Sequence, residues 1–275
     1  MKKTAVWAMA GCVVLGALRL ADLIWFTDPA GGLAVGPVWV RWLAGVLAAA
    51  VCWLLGRLAA EKTEFRPQSA VPWLLPAGAG ALAAGVAGFL STATGGQDGF
   101  TAHHMTLGRL LAVRLAGFAG AGLLLLLGVW CLLLAKAVPQ GKAGDGFFVG
   151  LGTAGSAAFF LETVLRFVLR PASWYRLGPA VEVFAALGAL LFSAALVRAL
   201  AFPTRPGVNR SLAGTGLLAF LLCTCLALPQ AVWQWAVGAQ TGVGLVEALF
   251  YGFFGLLGAA AARGALQQIK DTDAG

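Results

Sequence analysis

The sequence predicts an all-α integral membrane protein with about eight transmembrane helices. Hydrophobic residues make up 60% of the 275 positions and charged residues only 11%, whereas a soluble domain carries roughly 25% charged residues. The apolar residues form runs that reach the roughly 20 residues needed to cross the hydrocarbon core of a bilayer. These runs lie at about 4–26, 36–58, 69–91, 106–135, 146–168, 179–201, 212–236 and 243–263.

The breaks between the runs carry residues that end helices. Pro and Gly mark most of them, as at 27–32 and 203–207, because neither residue favours a helix interior. The first run follows Lys2 and Lys3 as the apolar part of a signal peptide would, but it continues to Phe26. We therefore interpret the first run as an uncleaved transmembrane helix.

Composition also excludes several classes of function. No polar stretch is long enough to form a soluble domain, so the net charge of +8 does not indicate nucleic-acid binding. The two His are adjacent and the five Cys lie in apolar runs without a CxxC pair. This pattern indicates neither a metal cluster nor a disulfide framework. The cysteines are Cys12, Cys52, Cys131, Cys223 and Cys225.

The distribution of basic residues predicts the orientation in the membrane. Loops on one side hold most of the Lys and Arg, and the opposite loops 27–35, 92–105 and 237–242 hold none. Because basic loops stay in the cytoplasm, both termini are expected there. The connection at 166–178 breaks the rule with three outer arginines. The residues of the basic side are Lys2, Lys3, Arg57, Lys62, Arg66, Lys136, Lys142, Arg198, Arg205, Arg210, Arg263 and Lys270.

A further set of charges lies in the outer halves of the predicted helices or in the outer connection at 166–178, and a charge at membrane depth costs roughly 2.5–3.5 kcal/mol on insertion scales. Clustering at one depth predicts a polar cavity that opens outward. Arginines outnumber acids there, and the guanidinium group suits phosphate, so an anionic, phosphate-bearing amphiphile is the expected ligand. The other interpretation is a set of salt bridges and snorkelling side chains. The charges are Arg19, Asp22, Arg41, Arg109, Arg114, Glu162, Arg166, Arg170, Arg176, Glu182 and Glu247.

Spacing predicts which of these charges pair. Arg19 and Asp22 are three residues apart on one helix face, and Glu162, Arg166 and Arg170 follow each other at intervals of four. In the outer loop, His103 and His104 offer a base that titrates near neutral pH, or simply a solvated pair.

Four stretches resemble the prolipoprotein diacylglyceryl transferase family. Residues 34–43 read AVGPVWVRWL, similar to the opening of that family, in which a Gly-Pro-Val stretch leads to a basic residue and Trp. Three further stretches are similar in order and spacing to later family motifs, and together the likeness covers about 34–265. These stretches are 114–120, 145–162 and 176–182.

The resemblance implies a division of the chain and an activity. It implies an added transmembrane helix and outer loop at 1–33, a seven-helix transferase-like domain at 34–265 and a cytoplasmic tail at 266–275. The implied enzyme lies in the bacterial plasma membrane with its site facing outward. It transfers a diacylglyceryl group from phosphatidylglycerol to the lipobox cysteine of a prolipoprotein, whose signal peptide would be a partner, and it uses no metal or cofactor.

The resemblance also suggests roles for individual residues. The expected catalytic residues are Glu162, Arg114 and His104. Arg114 stands where the family has a His, and the Arg and Glu of the seventh family helix fall on about Leu228 and Val232. Two alternatives stay open, a catalytically silent homologue that binds lipid or a membrane partner, and a transporter or flippase of an anionic amphiphile. The expected substrate-binding residues are Arg41, Arg109, Arg166, Arg170, Arg176 and Glu182.

Overall fold

The computed structural model describes residues 2–28, 33–57, 67–95, 107–169 and 177–266. Over these residues the chain is an all-α membrane protein. It has eight spans that are long enough and apolar enough to cross a bilayer, which confirms the predicted fold class. A short 3₁₀ turn at Pro67–Ser69 precedes the third helix. The helices are α1 Lys2–Trp25, α2 Val38–Arg57, α3 Val71–Ala93, α4 Leu107–Ala137, α5 Gly146–Leu169, α6 Leu177–Ala201, α7 Val208–Ala219, α8 Leu228–Ala236 and α9 Gly242–Leu266.

The seventh span is composite. It consists of α7, a π-helical segment at Phe220–Ala227 and α8, which begins with Pro at its second position. It starts at 208 rather than at the predicted 212, directly after Gly207, whose φ of +79° suits glycine. In a π-helix each hydrogen bond spans five residues instead of four. The segment therefore changes which side chains of α8 point toward the neighbouring helices.

Helix α9 lies at the centre of the bundle and contacts α3, α7, the π segment and α8. Helix α2 packs against α7 where Gly56 meets Gly214, and a Cβ on Gly56 would overlap the Gly214 backbone. Helix α1 packs against the π segment and α8. Only 17% of the α1 span and 11% of the α2 span are buried. These two helices therefore present most of their apolar surface to lipid.

An aromatic cluster forms the core between α5, α6 and α9. Phe159 stacks on Phe250 with ring centroids 5.8 Å apart, and Phe254 lies 4.8 Å from Phe159 and 5.4 Å from Phe192. All four side chains are fully buried. Close aromatic packing of this kind fixes how the three helices face each other.

The bundle has one end that we name the charged end: the end at which α1 and α5 finish and at which α2, α6 and α9 begin. Because the described residues form an even number of spans, α1 begins and α9 finishes at the opposite end. The proposed boundary at 33/34 stays a prediction, and most of the predicted tail, 267–275, lies outside the described residues.

Candidate functional site

Four charged side chains from three helices form what we name the glutamate cluster, at the charged end. Arg166 of α5 donates from Nε to Glu162 at 3.2 Å, from Nη1 to Glu182 of α6 at 3.3 Å, and from Nη2 to Glu247 of α9 at 3.1 Å. Each of its nitrogens thus has a carboxylate partner. The side chains are 15–21% exposed, so the cluster is partly accessible.

The surroundings hold the glutamate cluster in place. The guanidinium carbon of Arg166 lies 5.3 Å from the ring centre of Tyr251, a cation–π contact. Tyr251 belongs to the aromatic cluster through Phe159 and Phe250, and its hydroxyl, although buried, has no hydrogen-bond partner among the described residues. On the α4 side, a Cβ at Gly120 would lie 3.5 Å from Glu162 Oε1, an ordinary van der Waals distance, so α4 packs closely beside the carboxylate.

Two arginines on the outermost helices form a second group, which we name the arginine pair. Arg19 of α1 donates from Nη1 to Asp22 Oδ2 at 2.5 Å, and Arg41 of α2 donates from Nε to Asp22 Oδ1 at 2.8 Å. The two guanidinium groups therefore share one carboxylate. Their side chains are 11% and 14% exposed.

Arg41 also fastens the connection between α1 and α2. Its Nη2 donates to the Phe26 carbonyl at 2.9 Å and to the Val35 carbonyl at 3.0 Å. These two residues flank a narrow antiparallel contact in which Thr27 bridges to Ala34. Arg41 thus connects both arms of the loop to the end of α1.

The hydrogen bonds of the arginine pair are incomplete. Arg19 Nε and Arg41 Nη1 are buried and have no partner in the part of the chain that the structure describes. The third nitrogen of Arg19, Nη2, donates to Gln230 Oε1 of α8 at 3.1 Å. An unpaired buried N–H group costs about 1–3 kcal/mol. A ligand whose acceptors bonded to these two donors would remove that cost and bind more tightly.

The structure brings together some of the predicted site residues. Glu162, Arg166 and Glu182 meet in the glutamate cluster, and Arg41 lies in the arginine pair. Arg114 is half-buried on α4, six residues before Gly120, or about 9 Å along the axis toward the charged end. The remaining predicted residues, His104, Arg170, Arg176 and the side chain of Arg109, lie outside the described residues.

The sequence analysis counted Arg19, Asp22 and Glu247 among the charges of the predicted cavity but gave them no catalytic or substrate-binding role. It did not identify Tyr251 or Gln230. A signal for the last of these exists in the sequence, since Gln230 and Gln234 stand four apart on one face of an otherwise apolar helix. At the opposite end of the bundle Asp145 is exposed, and the other charges with described side chains are basic and belong to neither group. They are Lys136, Lys142, Arg198, Arg205, Arg210 and Arg263.

Comparison of the chain with models of protein families, with curated proteins and with solved structures finds no match. The likeness to the diacylglyceryl transferases therefore stays a prediction from the stretches quoted above.

Proposed function

We propose that this protein binds the phosphate-bearing headgroup of an anionic phospholipid at the arginine pair. The observation that carries the proposal is the incomplete bonding of two convergent arginines, with Arg19 Nε and Arg41 Nη1 unpartnered among the described residues. Guanidinium groups bind phosphate oxygens through charge-assisted hydrogen bonds. Both nitrogens are buried, so the headgroup reaches them after the guanidinium groups turn.

The position of the arginine pair supports a lipid ligand rather than a soluble one. Arg19 lies in the last two turns of α1 and Arg41 in the first turn of α2, the helices with the least buried spans. Trp25 and Trp39, beside the pair in sequence, are 73% and 61% exposed. Aromatic side chains of this kind favour the headgroup level of a bilayer. A phospholipid can therefore approach the pair sideways from the membrane.

The charges at the two ends of the bundle support an outward-facing site. Apart from Arg114, the basic residues with described side chains outside the two groups lie at the opposite end, and Arg198, Arg205 and Arg263 are exposed there. A basic end of this kind stays in the cytoplasm by the positive-inside rule. In a bacterial plasma membrane the arginine pair would then face the outer leaflet.

The reaction that we propose for this site is transfer of a diacylglyceryl group from phosphatidylglycerol to the lipobox cysteine of a prolipoprotein. The most specific resembling stretch, 34–43, contains Arg41 of the arginine pair. Glu162 and Glu182, which also fall on resembling stretches, meet in the glutamate cluster. The chemistry needs a group that accepts the thiol proton and positive charge that stabilises the departing phosphate. The carboxylates and the arginine pair are the groups of these types.

Lipid binding is tested by native mass spectrometry of the detergent-purified protein with phosphatidylglycerol and phosphatidylcholine. The wild type should retain phosphatidylglycerol preferentially. Arg41→Met should lower that preference about tenfold, the value of one charge-assisted hydrogen bond. Arg198→Met, at the exposed opposite end, is the matched control and should change nothing. Equal preference in the two variants, or equal competition by free glycerol phosphate, would contradict the lipid site.

The transferase proposal needs a second assay. Purified protein is mixed with phosphatidylglycerol labelled in its acyl chains and with a lipobox peptide, and the expected result is label on the peptide cysteine with release of glycerol phosphate. Retained lipid binding without label would identify a silent homologue.

Transport of an anionic amphiphile is the second candidate, and the composite seventh span favours it. π-helical segments occur frequently at functional sites, and here the π segment at Phe220–Ala227 lies between α7 and α8, close to Gln230, which contacts the arginine pair. Reconstituted liposomes with labelled phosphatidylglycerol in one leaflet test this function. Scrambling faster than in protein-free liposomes, abolished by Arg41→Met, would favour transport over transfer.

A further inference from the structure

Gln230 connects the arginine pair to the helix that carries part of the glutamate cluster. Its side chain is 1% exposed, and both ends of its amide are used. Oε1 accepts from Arg19 Nη2 at 3.1 Å, and Nε2 donates to the Gly178 carbonyl at 3.0 Å. A single buried side chain on α8 therefore joins α1 to the first turn of α6.

The local structure is built for this contact. The π segment ends at Ala227, three residues before Gln230, and its wider turns set the face on which the glutamine lies. On the α6 side, a Cβ at Gly178 would lie 3.3 Å from Gln230 Nε2 and 3.2 Å from Gln234 Nε2. Contacts this short are tighter than usual, so a side chain at 178 would push both glutamine amides aside. Glycine at 178 thus allows the glutamine to reach the backbone of α6.

The carbonyl that Gln230 binds belongs to the turn that positions Glu182. In an α-helix the carbonyl of residue i accepts a hydrogen bond from the backbone N–H of residue i+4. The Gly178 carbonyl is therefore the acceptor for the backbone N–H of Glu182. Glu182 in turn accepts from Arg166 Nη1 at 3.3 Å. A continuous series of polar contacts therefore runs from Arg19 through Gln230 and α6 to Arg166.

We infer that Gln230 is a positioning residue that couples the two charged groups. It holds the Arg19 guanidinium against α6, so a change of charge at Glu182 alters the placement of Arg19 and with it the affinity for an anionic headgroup. The coupling is reciprocal, because an effect of one site on the other must operate in both directions. This inference rests on the proposed lipid site.

A double-mutant cycle tests the coupling. The ratio of bound phosphatidylglycerol to bound phosphatidylcholine is measured for the wild type, Glu182→Gln, Gln230→Met and the double variant. Glu182→Gln should change the ratio about fivefold in the wild-type background, the lower range of measured couplings. In the Gln230→Met background, where methionine keeps the volume but neither hydrogen bond, Glu182→Gln should have almost no effect.

Two further variants keep the test decisive. Gln234→Met is the matched control, because Gln234 borders Gly178 but makes neither hydrogen bond of Gln230, and Glu182→Gln should keep its effect in that background. Gly178→Ala presses on the same contact from α6 and should also weaken the coupling. It replaces Gln230→Met in the test if that variant fails to fold. An equal effect of Glu182→Gln in all backgrounds would overturn the inference. Loss of lipid preference in Arg41→Met would still stand, so the two proposals fail separately.

Discussion

The glutamate cluster and the arginine pair use the same kinds of side chain in opposite proportions. In the cluster one guanidinium serves three carboxylates, and each nitrogen of Arg166 is bonded. In the pair two guanidinium groups share Asp22, and two of their nitrogens lack partners among the described residues. The cluster joins the helices α5, α6 and α9, whereas the pair lies on the lipid-exposed helices α1 and α2.

The difference separates a group that holds the bundle together from a group prepared for a ligand. A cation that binds a carboxylate through each of its nitrogens adds to stability through the helices that it joins, and some of these bonds would have to break before it could bind a phosphate. Arg166 therefore contributes to packing and keeps three carboxylates in place. The arginine pair keeps two buried donors without partners among the described residues, on the two helices with the least buried spans. This arrangement suits an anion that reaches the donors once the guanidinium groups turn.

The largest effect is expected from breaking the glutamate cluster. Arg166→Met leaves three partly buried carboxylates without their shared cation and should lower the free energy of unfolding by about 3–5 kcal/mol. The measurement is reversible unfolding in mixed micelles. Arg198→Met, at an exposed position in the last turn of α6, is the control and should be close to wild type.

A compensating variant separates charge from packing in the glutamate cluster. Combining Arg166→Met with Gln at 162, 182 and 247 removes the carboxylates together with the cation, so part of the lost stability should return. No recovery would mean that the guanidinium acts mainly through its packing on Tyr251. Stability equal to wild type in the single variant would remove the distinction between the two regions.

The next effect concerns the arginine pair and has opposite signs in two measurements. Asp22→Asn removes the charge that Arg19 and Arg41 share, so the free energy of unfolding should fall by about 1–3 kcal/mol. The same change adds net positive charge to the site and should raise the preference for phosphatidylglycerol over phosphatidylcholine. A fall in both quantities would show that the pair is a structural ion group like the cluster.

Much of the fold could be predicted because hydropathy and helix-ending residues act locally. The eight spans follow from apolar runs, and the Glu162–Arg166 bond follows from a separation of four on one helix face. The bonds of Arg166 to Glu182 and Glu247 span 16 and 81 residues, and only the packing of α5 against α6 and α9 determines them.

The arginine pair shows the same limit. The Arg19–Asp22 contact is a separation of three, but its extension to Arg41 needs the turn between α1 and α2. Gln230 is a harder case, since its partner Arg19 is 211 residues away and the π segment sets the face of α8. Regular helical periodicity does not anticipate a π segment, so the sequence indicates a polar face without showing what it meets.

The smallest effect tests the boundary between the glutamate cluster and the aromatic core. Tyr251→Phe keeps the ring under Arg166 and removes a buried hydroxyl that has no partner among the described residues. The free energy of unfolding should therefore rise by about 1 kcal/mol, because an unpaired polar group no longer has to be desolvated. Lipid preference should stay at the wild-type value.

The sign of this small change is more informative than its size. Tyr251→Leu, which also removes the ring and its contact with Arg166, should lower the stability and so shows that the assay responds at this position. If Tyr251→Phe is destabilising as well, the hydroxyl has a partner that belongs to the cluster in the membrane. The cluster would then reach one turn deeper than its carboxylates, and the contrast with the partly unbonded arginine pair would become sharper.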